Sequence, residues 1–375
     1  MNGSGKSSIL QAIGFARYFA EGRAESFFED RAWNRQDLKF RSNSRTRDSL
    51  VTFGALFDSP WGRIRWDFSW SATTGKTQDE SVKLRRERKG EIETLVSFSA
   101  REGGEMGELK IPPFQIAGSI LSIIPFVSDH SENDTIAHEV HSWGSGIRSL
   151  ELLAPSYMRQ GTRRSPDDIG IKGDRLAGFL ASLSVSQRSR VIKRLGRVYP
   201  ISDLSIVKKR AGWIDLKVAE KYSNLGEISV AHMSDGFMRL LAICAIPELP
   251  DYVRLVLLDE IEDGIEPHIL SELIELIREE SAAQIITTSH SPLLLNGIPT
   301  QDIRIVSRND DGRTIAVDAA TLPTFKEGSD YLGAGELWAS VDLGSLNREV
   351  QDLFVKPTET ENEAFIEQIS EAPVK

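Results

Sequence analysis

The stretch from Arg254 to His290 constrains the fold more than any other part of the chain. In residues 254–258, RLVLL, the four that follow Arg254 are a continuous apolar run of the kind buried on both faces of a sheet. Leu270, Leu273, Ile274 and Ile277 follow at helical spacing, and Gln284 to Thr288 reads as a second strand. Strand, helix and strand at this spacing form a crossover, so the chain is α/β with a parallel sheet.

The rest of the chain is organised around that unit. KSSILQAIGFARYFA, residues 6–20, reads as a helix with Ile9, Ile13, Ala16 and Ala20 on one stripe. Between Ser49 and Ser99 the pattern changes to short β runs, including RIRWDFSW with Ile64, Trp66, Phe68 and Trp70 alternating. Turns fall at Ser59-Pro60-Trp61-Gly62 and Thr74-Gly75-Lys76, which makes an antiparallel patch over 49–110. Residues 115–200 read as mainly helical, with Leu176, Phe179, Leu180 and Leu183 spaced for one face. Strands return over 201–231 with a hairpin turn at Lys209 to Gly212, and Phe237, Leu240, Leu241, Cys244 and Ala245 form a helical face ended by Pro247. The expected organisation is one domain over 1–355, its segments being 1–20, 49–110, 115–200 and 201–355. An acidic, flexible tail, 356–375, follows.

Composition narrows the class. The chain has 375 residues, and its 40% hydrophobic and 27% charged content, with 44 Gly and Pro together, excludes a disordered or fibrous protein. A lone cysteine, Cys244, cannot form an internal disulfide. No basic segment leading into an apolar stretch opens the chain, and the longest apolar tract, Gln115 to Val127, is shorter than the roughly 20 residues that span a bilayer. A cytoplasmic protein with no membrane partner is expected. The net charge of −10 is unevenly spread: residues 1–215 hold 33 Lys and Arg against 26 Asp and Glu, and residues 216–375 hold 12 against 29. The first part is suited to a polyanion, and Arg31 to Arg47 and Arg188 to Arg197 are its basic stretches; a solvated surface gives the same composition.

Four short motifs carry chemistry. MNGSGKSS at the start holds Gly5, Lys6 and Ser7 of a phosphate-binding loop, in which backbone N–H groups and a helix N-terminus cradle phosphate oxygens. In such a loop Lys6 neutralises the β- and γ-phosphates and the Ser7 hydroxyl holds Mg²⁺. The first glycine of the pattern would precede Met1, which leaves two readings open: a gene start placed too late, with a strand lost, or a degenerate Gly3/Gly5 loop. Asp259 and Glu260 end the apolar strand, where one carboxylate can hold the Mg²⁺ water shell and its neighbour can polarise an attacking water. Acidic residues ending a strand are also ordinary in turns. His290 follows the second strand, where an imidazole can reach a γ-phosphate or serve structure alone. Ser234, Asp235 and Gly236 precede an amphipathic helix, as an anion site or as a plain helix cap.

Taken in order, these motifs resemble the ATPases of the ABC type, and specifically the compact AAA-domain proteins related to RecF, the SMC proteins and the overcoming-lysogenization-defect nucleases. GSGKSS corresponds to Walker A, MSDG to the signature, LVLLDE to Walker B, EDGIEP to the D-loop and TTSH to the switch histidine; GELWASVDLG is also similar to this group. The resemblance implies a P-loop NTPase with a RecA-like parallel sheet, an antiparallel β subdomain and a helical lid. It implies that Asn2, Gly3, Ser4, Gly5, Lys6, Ser7 and Ser8 bind the phosphates of ATP, that Ser7 and Asp259 hold Mg²⁺, that Glu260 is the general base and that His290 senses the γ-phosphate. Ser234, Asp235, Gly236 and Asp263 would close over the nucleotide of a second protomer in a head-to-tail homodimer.

The sequence departs from that pattern in the first Walker A glycine, in Asp235 and Phe237 within the signature, and in a Q-loop glutamine for which Gln36 and Gln115 are the candidates. Only 85 residues follow His290, too few for a fused nuclease. The expected function is ATP hydrolysis that drives or gates a partner. DNA maintenance or phage defence, through DNA or a separately encoded nuclease or effector, is the wider setting. A truncated pseudo-ATPase scaffold is the alternative, in which loss of the central strand leaves open sheet edges.

Overall fold

The computed structural model describes residues 3–38, 50–86, 92–126, 132–150, 153–163, 166–222, 226–328 and 331–353. Asn2, Lys39 to Arg47, and the 356–375 tail lie outside the described residues. The chain groups into two compact units, Ser7–Ser289 and Met1–Lys6 with His290–Lys375.

The larger unit begins with α1 (Lys6–Ala20), whose first residue belongs to the other unit, and α2 (Ser26–Arg31). Six strands then form an antiparallel meander in sequence order: β1 (Leu50–Ser59), β2 (Gly62–Ser71), β3 (Lys76–Arg85), β4 (Ile92–Ser99), β5 (Gly103–Met106) and β6 (Leu109–Ile111). Both expected turns join their strands. Alternation in β2 buries Ile64, Trp66, Phe68 and Trp70, as period-two patterning requires of a sheet with one face on the core.

Helix α1 matches its expected bounds, but its buried face is turned from the expected stripe. Leu10, Phe15, Ala16, Tyr18, Phe19 and Ala20 are buried, while Ile9 and Ile13 are only partly covered. The aromatic rings decide the rotation. Phe19 stacks on Phe68 with centroids 3.7 Å apart, and Phe15 meets Trp70 edge-on at 5.3 Å. Aromatic side chains bury more area than Ile or Ala and so set the helix face, each being worth about 1.5–3 kcal/mol when fully covered. Trp61 and Trp143 are partly buried against the same cluster, Trp143 stacking on Phe57 at 5.1 Å.

Next come α3 (Glu132–Ser145), β7 (Ile147–Ser149), α4 (Pro155–Met158), α5 (Leu176–Ser182) and α6 (Val185–Val198). The described part of 115–200 thus holds helices joined by irregular segments, with one strand, β7, that the sequence does not signal. The antiparallel sheet β10-β9-β8 is formed by β8 (Ile201–Lys208), β9 (Ile214–Glu220) and β10 (Glu227–Ser229). Then α7 (Asp235–Ala245), β11 (Leu255–Leu258), α8 (Pro267–Glu280) and β12 (Gln284–Thr287) complete the unit.

The parallel sheet has the order β12-β11-β7. All four residues of β11 are buried, and it pairs with β12 (Leu258 opposite Thr287) on one side and β7 (Leu257 opposite Ser149) on the other. Both edges of β11 are therefore bonded, and β12 and β7 are the outer strands of this sheet. Ile147, Leu255 and Leu257 share one buried cluster with α1 and the antiparallel meander, so a single core supports both sheets.

The basic helix α6 keeps Arg190, Lys193 and Arg197 at the surface, but three of its arginines are ion-paired. Arg194 is 4% exposed and pairs with Glu248 and Glu280 at 2.7 Å each, Arg190 bonds Glu248 at 2.9 Å, and Arg197 bonds Glu272 at 2.9 Å. Arg31 is likewise buried, stacked 3.8 Å over the Phe27 ring. Cys244 is fully buried on α7, and burial pushes its thiol up to about 12.

The smaller unit holds α9 (Pro292–Asn296), β13 (Arg304–Arg308), β14 (Thr314–Asp318), α10 (Pro323–Gly328), α11 (Ala334–Ser340) and α12 (Leu343–Leu353). β13 and β14 form an antiparallel hairpin, and Ile305, Ile315, Phe325, Leu346 and Val350 lie in its own buried cluster.

Candidate functional site

Asp259 and Glu260 leave the C-terminal end of β11, the position at which open parallel sheets present ligand-binding groups. Thr288, the first residue after β12, ties them down. Its backbone N–H donates to Leu258 O at 3.0 Å and its carbonyl accepts from Ile261 N at 3.3 Å. Its hydroxyl accepts from Glu260 N at 2.9 Å and donates to Asp259 Oδ1. Glu260 sits at φ 46°, a left-handed conformation unusual for a residue with a β-carbon. Backbone of this kind persists only where surrounding structure imposes it. The Glu260 side chain is exposed and Asp259 is half-buried. Thr288 was not among the residues singled out from the sequence, because its part depends on strand register.

Ser234 is the N-cap of α7: its hydroxyl accepts from Phe237 N at 3.2 Å, so the cap reading of this residue holds. Asp235 carries negative charge into the first turn, where Arg159 pairs with its carboxylate. Arg159 also donates to Met233 O through Nε at 3.1 Å and Nη2 at 2.9 Å. The loop and the segment after β11 meet here. A β-carbon built at Gly236 would stand 2.4 Å from Gly264 O, which admits only glycine, and Arg239 pairs with Asp263 at 2.6 Å. The structure thus brings together Asp259 with Glu260, and Ser234, Asp235 and Gly236 with Asp263. Ser7 and Ser8 lie in the first turn of α1, which contains no acidic residue and so suits an anion.

Gly3, Ser4, Gly5, Lys6 and His290 belong to the smaller unit. Gly3 and Gly5 have φ of 70° and 99°. Ser4 is buried, its carbonyl accepting from Thr314 Oγ1 at 3.0 Å, and a β-carbon at Gly5 would fall 2.0 Å from that same hydroxyl. Both the left-handed turn and this close approach require glycine at position 5. His290 follows β12 by three residues and is half-buried. The two Q-loop candidates are both exposed, Gln36 on the turn Arg35–Leu38 and Gln115 in the loop after β6.

Among the described residues, no three His, Cys, Asp or Glu gather as a metal cage. Mg²⁺ bound with a nucleotide takes one or two protein oxygens and fills its octahedron with phosphate and water, so an Asp259 carboxylate and a Ser7 hydroxyl are a chemically fitting set. Among the described residues, no helix is long and apolar enough to cross a membrane.

A parallel sheet with acidic residues at the end of its buried strand, a glycine turn leading into a helix, and a flanking antiparallel meander define the class: a P-loop ATPase fold of the ABC type. Residues 1–296 match the family described as "AAA domain, putative AbiEii toxin, Type IV TA system", and the chain belongs to that family. No curated protein matches the sequence. Among solved structures, the Smc head bound to the C-winged helix domain of ScpA is similar with a TM-score of 0.52 at 13% identity, over 85% of this chain and 88% of that one. The Smc head of Pyrococcus furiosus with an extended coiled coil gives 0.49 at 13% identity over 88% and 91%. The SMC head of Thermotoga maritima gives 0.42 at 12% identity over 85% and 87%. The fold likeness rests on the first of these.

Proposed function

We propose that this protein binds ATP with Mg²⁺, dimerises head to tail around it and hydrolyses it to drive or gate a partner. The observation that carries the reading is the Asp259–Glu260 pair fixed at the end of the buried strand β11 by Thr288, with the second carboxylate exposed to solvent.

In this reading, residues 2–8 bind the phosphates, Lys6 opposes the β- and γ-phosphate charge, and Ser7 and Asp259 hold the metal, Asp259 through water. Bound Mg²⁺ supplies positive charge at the phosphate oxygens on which the transition state accumulates charge. Glu260 takes the proton of the attacking water as its oxygen bonds the γ-phosphorus and the β–γ bridge breaks to leave ADP. His290 contacts the γ-phosphate. Ser234, Asp235, Gly236 and Asp263 serve the nucleotide of the second protomer, where the N-terminus of α7 offers its dipole and Arg159 offsets the Asp235 charge that would otherwise repel phosphate.

The partner proposed is a separately encoded effector, a nuclease among the possibilities, or DNA, with DNA maintenance or phage defence as the setting. The solved Smc head named above is bound to a winged-helix domain, which supports a protein partner as the first to seek.

Phosphate release and nucleotide-dependent dimerisation test the core of this. Glu260→Gln should lower turnover about 10²–10⁴-fold and accumulate an ATP-bound dimer, and Lys6→Ala should lose nucleotide binding. Equal hydrolysis in wild type and both variants rejects the assignment. A wild type that binds Mg-ATP, with the melting shift that binding brings, yet releases no phosphate is instead the pseudo-ATPase scaffold.

A further inference from the structure

Thr288 makes four hydrogen bonds across the ends of β11 and β12, two from its backbone and two through one hydroxyl. The hydroxyl is the informative group. It is buried, the residue being 8% exposed, and it uses its donor on Asp259 Oδ1 and an acceptor lone pair on the Glu260 amide. A purely structural hydroxyl at a strand end has no need to bridge the side chain of one acidic residue and the backbone of the next.

We infer that Thr288 is the positioning residue of the acidic pair: one hydroxyl fixes the rotamer of Asp259 and holds Glu260 in its left-handed backbone conformation. This rests on the ATPase reading given above and extends it to a residue of the TTSH segment that carries no role in that reading.

Two physical consequences follow. The bond to Oδ1 restrains the rotamer of Asp259, so its carboxylate would meet a metal-bound water in a set direction. Holding φ of Glu260 at 46° directs its side chain off the strand axis, a conformation that an unrestrained Glu rarely adopts. Groups that orient a metal-binding or catalytic carboxylate in this way are typically worth roughly 10–100-fold in metal affinity or rate.

Three variants of the full chain separate this from a packing role. Thr288→Val keeps the shape and removes the hydroxyl; Thr288→Ser keeps the hydroxyl; Thr288→Cys, of similar size and a weak acceptor, stands in should the valine protein not fold. The first readout is amide hydrogen exchange at Glu260, which needs neither nucleotide nor turnover. Exchange should accelerate at least tenfold in Thr288→Val or Thr288→Cys and stay within about threefold of wild type in Thr288→Ser. The second is titration with a fluorescent ATP analogue, with and without Mg²⁺. Metal-free binding should hold within about twofold, while the gain on adding Mg²⁺ and single-turnover phosphate release both fall roughly 10–100-fold, with serine restoring both. Unchanged exchange at Glu260 in the hydroxyl-free variants overturns the inference, whatever the activity. Accelerated exchange with Mg²⁺ dependence and turnover at wild-type levels also overturns it. A wild type with neither binding nor hydrolysis overturns the ATPase reading instead, and the exchange result then decides the positioning claim by itself.

Discussion

Glu80 is 2% exposed and accepts three hydrogen bonds: from Trp66 Nε1 at 2.8 Å, Ser119 Oγ at 2.5 Å and Ile120 N at 2.7 Å. Burial pushes its carboxyl up to about 7, and the three donors pull back only part of that shift. A carboxyl raised in the folded state favours the protonated form. Its contribution to stability is therefore complete below the unfolded value near 4.5 and is lost as pH rises through about 7. Denaturant unfolding should show the protein losing about 3 kcal/mol between pH 4.5 and 8 from this group, and Glu80→Gln should flatten that dependence; an unaltered slope in the variant would place the titration elsewhere. At this scale the sequence is a good guide to residues that belong to contiguous motifs, such as Asp259 and Glu260. It is a poor one to Glu80 and Thr288, whose side-chain partners lie 14, 39 and 40, and 28 and 29 positions away and are brought near only by the tertiary fold.

Among the elements, α1, α7, β11 and the β1–β2 hairpin follow directly from periodicity, capping and turn residues. The rotation of α1 departs from its Ile/Ala stripe because the larger Phe and Tyr side chains decide which face buries most area. β7 was hidden for another reason. It is three residues long and contains Arg148, whose guanidinium is buried and pushed down to about 10 by burial and by Arg17, so no apolar run marks it. The break in pattern at Gly144 and Gly146 was the available signal. The meeting of the α7 loop with the segment after β11 gives an element-scale prediction. Gly236→Ala must push Gly264 O away and should cost about 1–3 kcal/mol in denaturant unfolding, as overpacking does. Ser234→Ala, which only loses a cap, should cost about 1 kcal/mol. A Gly236→Ala protein as stable as wild type would show that the two loops are not held together in solution.

For the whole molecule, the charge imbalance between the halves does not translate directly into a free basic surface. Arg190, Arg194 and Arg197 pair with acidic residues of the second half, Arg194 buried and the other two at the surface, and Arg31 is buried against an aromatic ring, so part of the apparent positive excess is already matched within the protein. Duplex-DNA binding measured across a salt series should accordingly be insensitive to Arg190→Gln and Arg197→Gln, each altering affinity less than about twofold with the salt slope unchanged. A slope reduced by about 0.9 per variant would instead reveal a phosphate contact at that position.

The seclusion of Cys244 has a practical side. Since its thiol is enclosed and held protonated to about 12, maleimide chemistry passes it by, and a cysteine introduced at the exposed Val185 would accept a dye with the native sulfur left in place. Protomers tagged separately in donor and acceptor colours would report by energy transfer whether adding nucleotide draws two copies together.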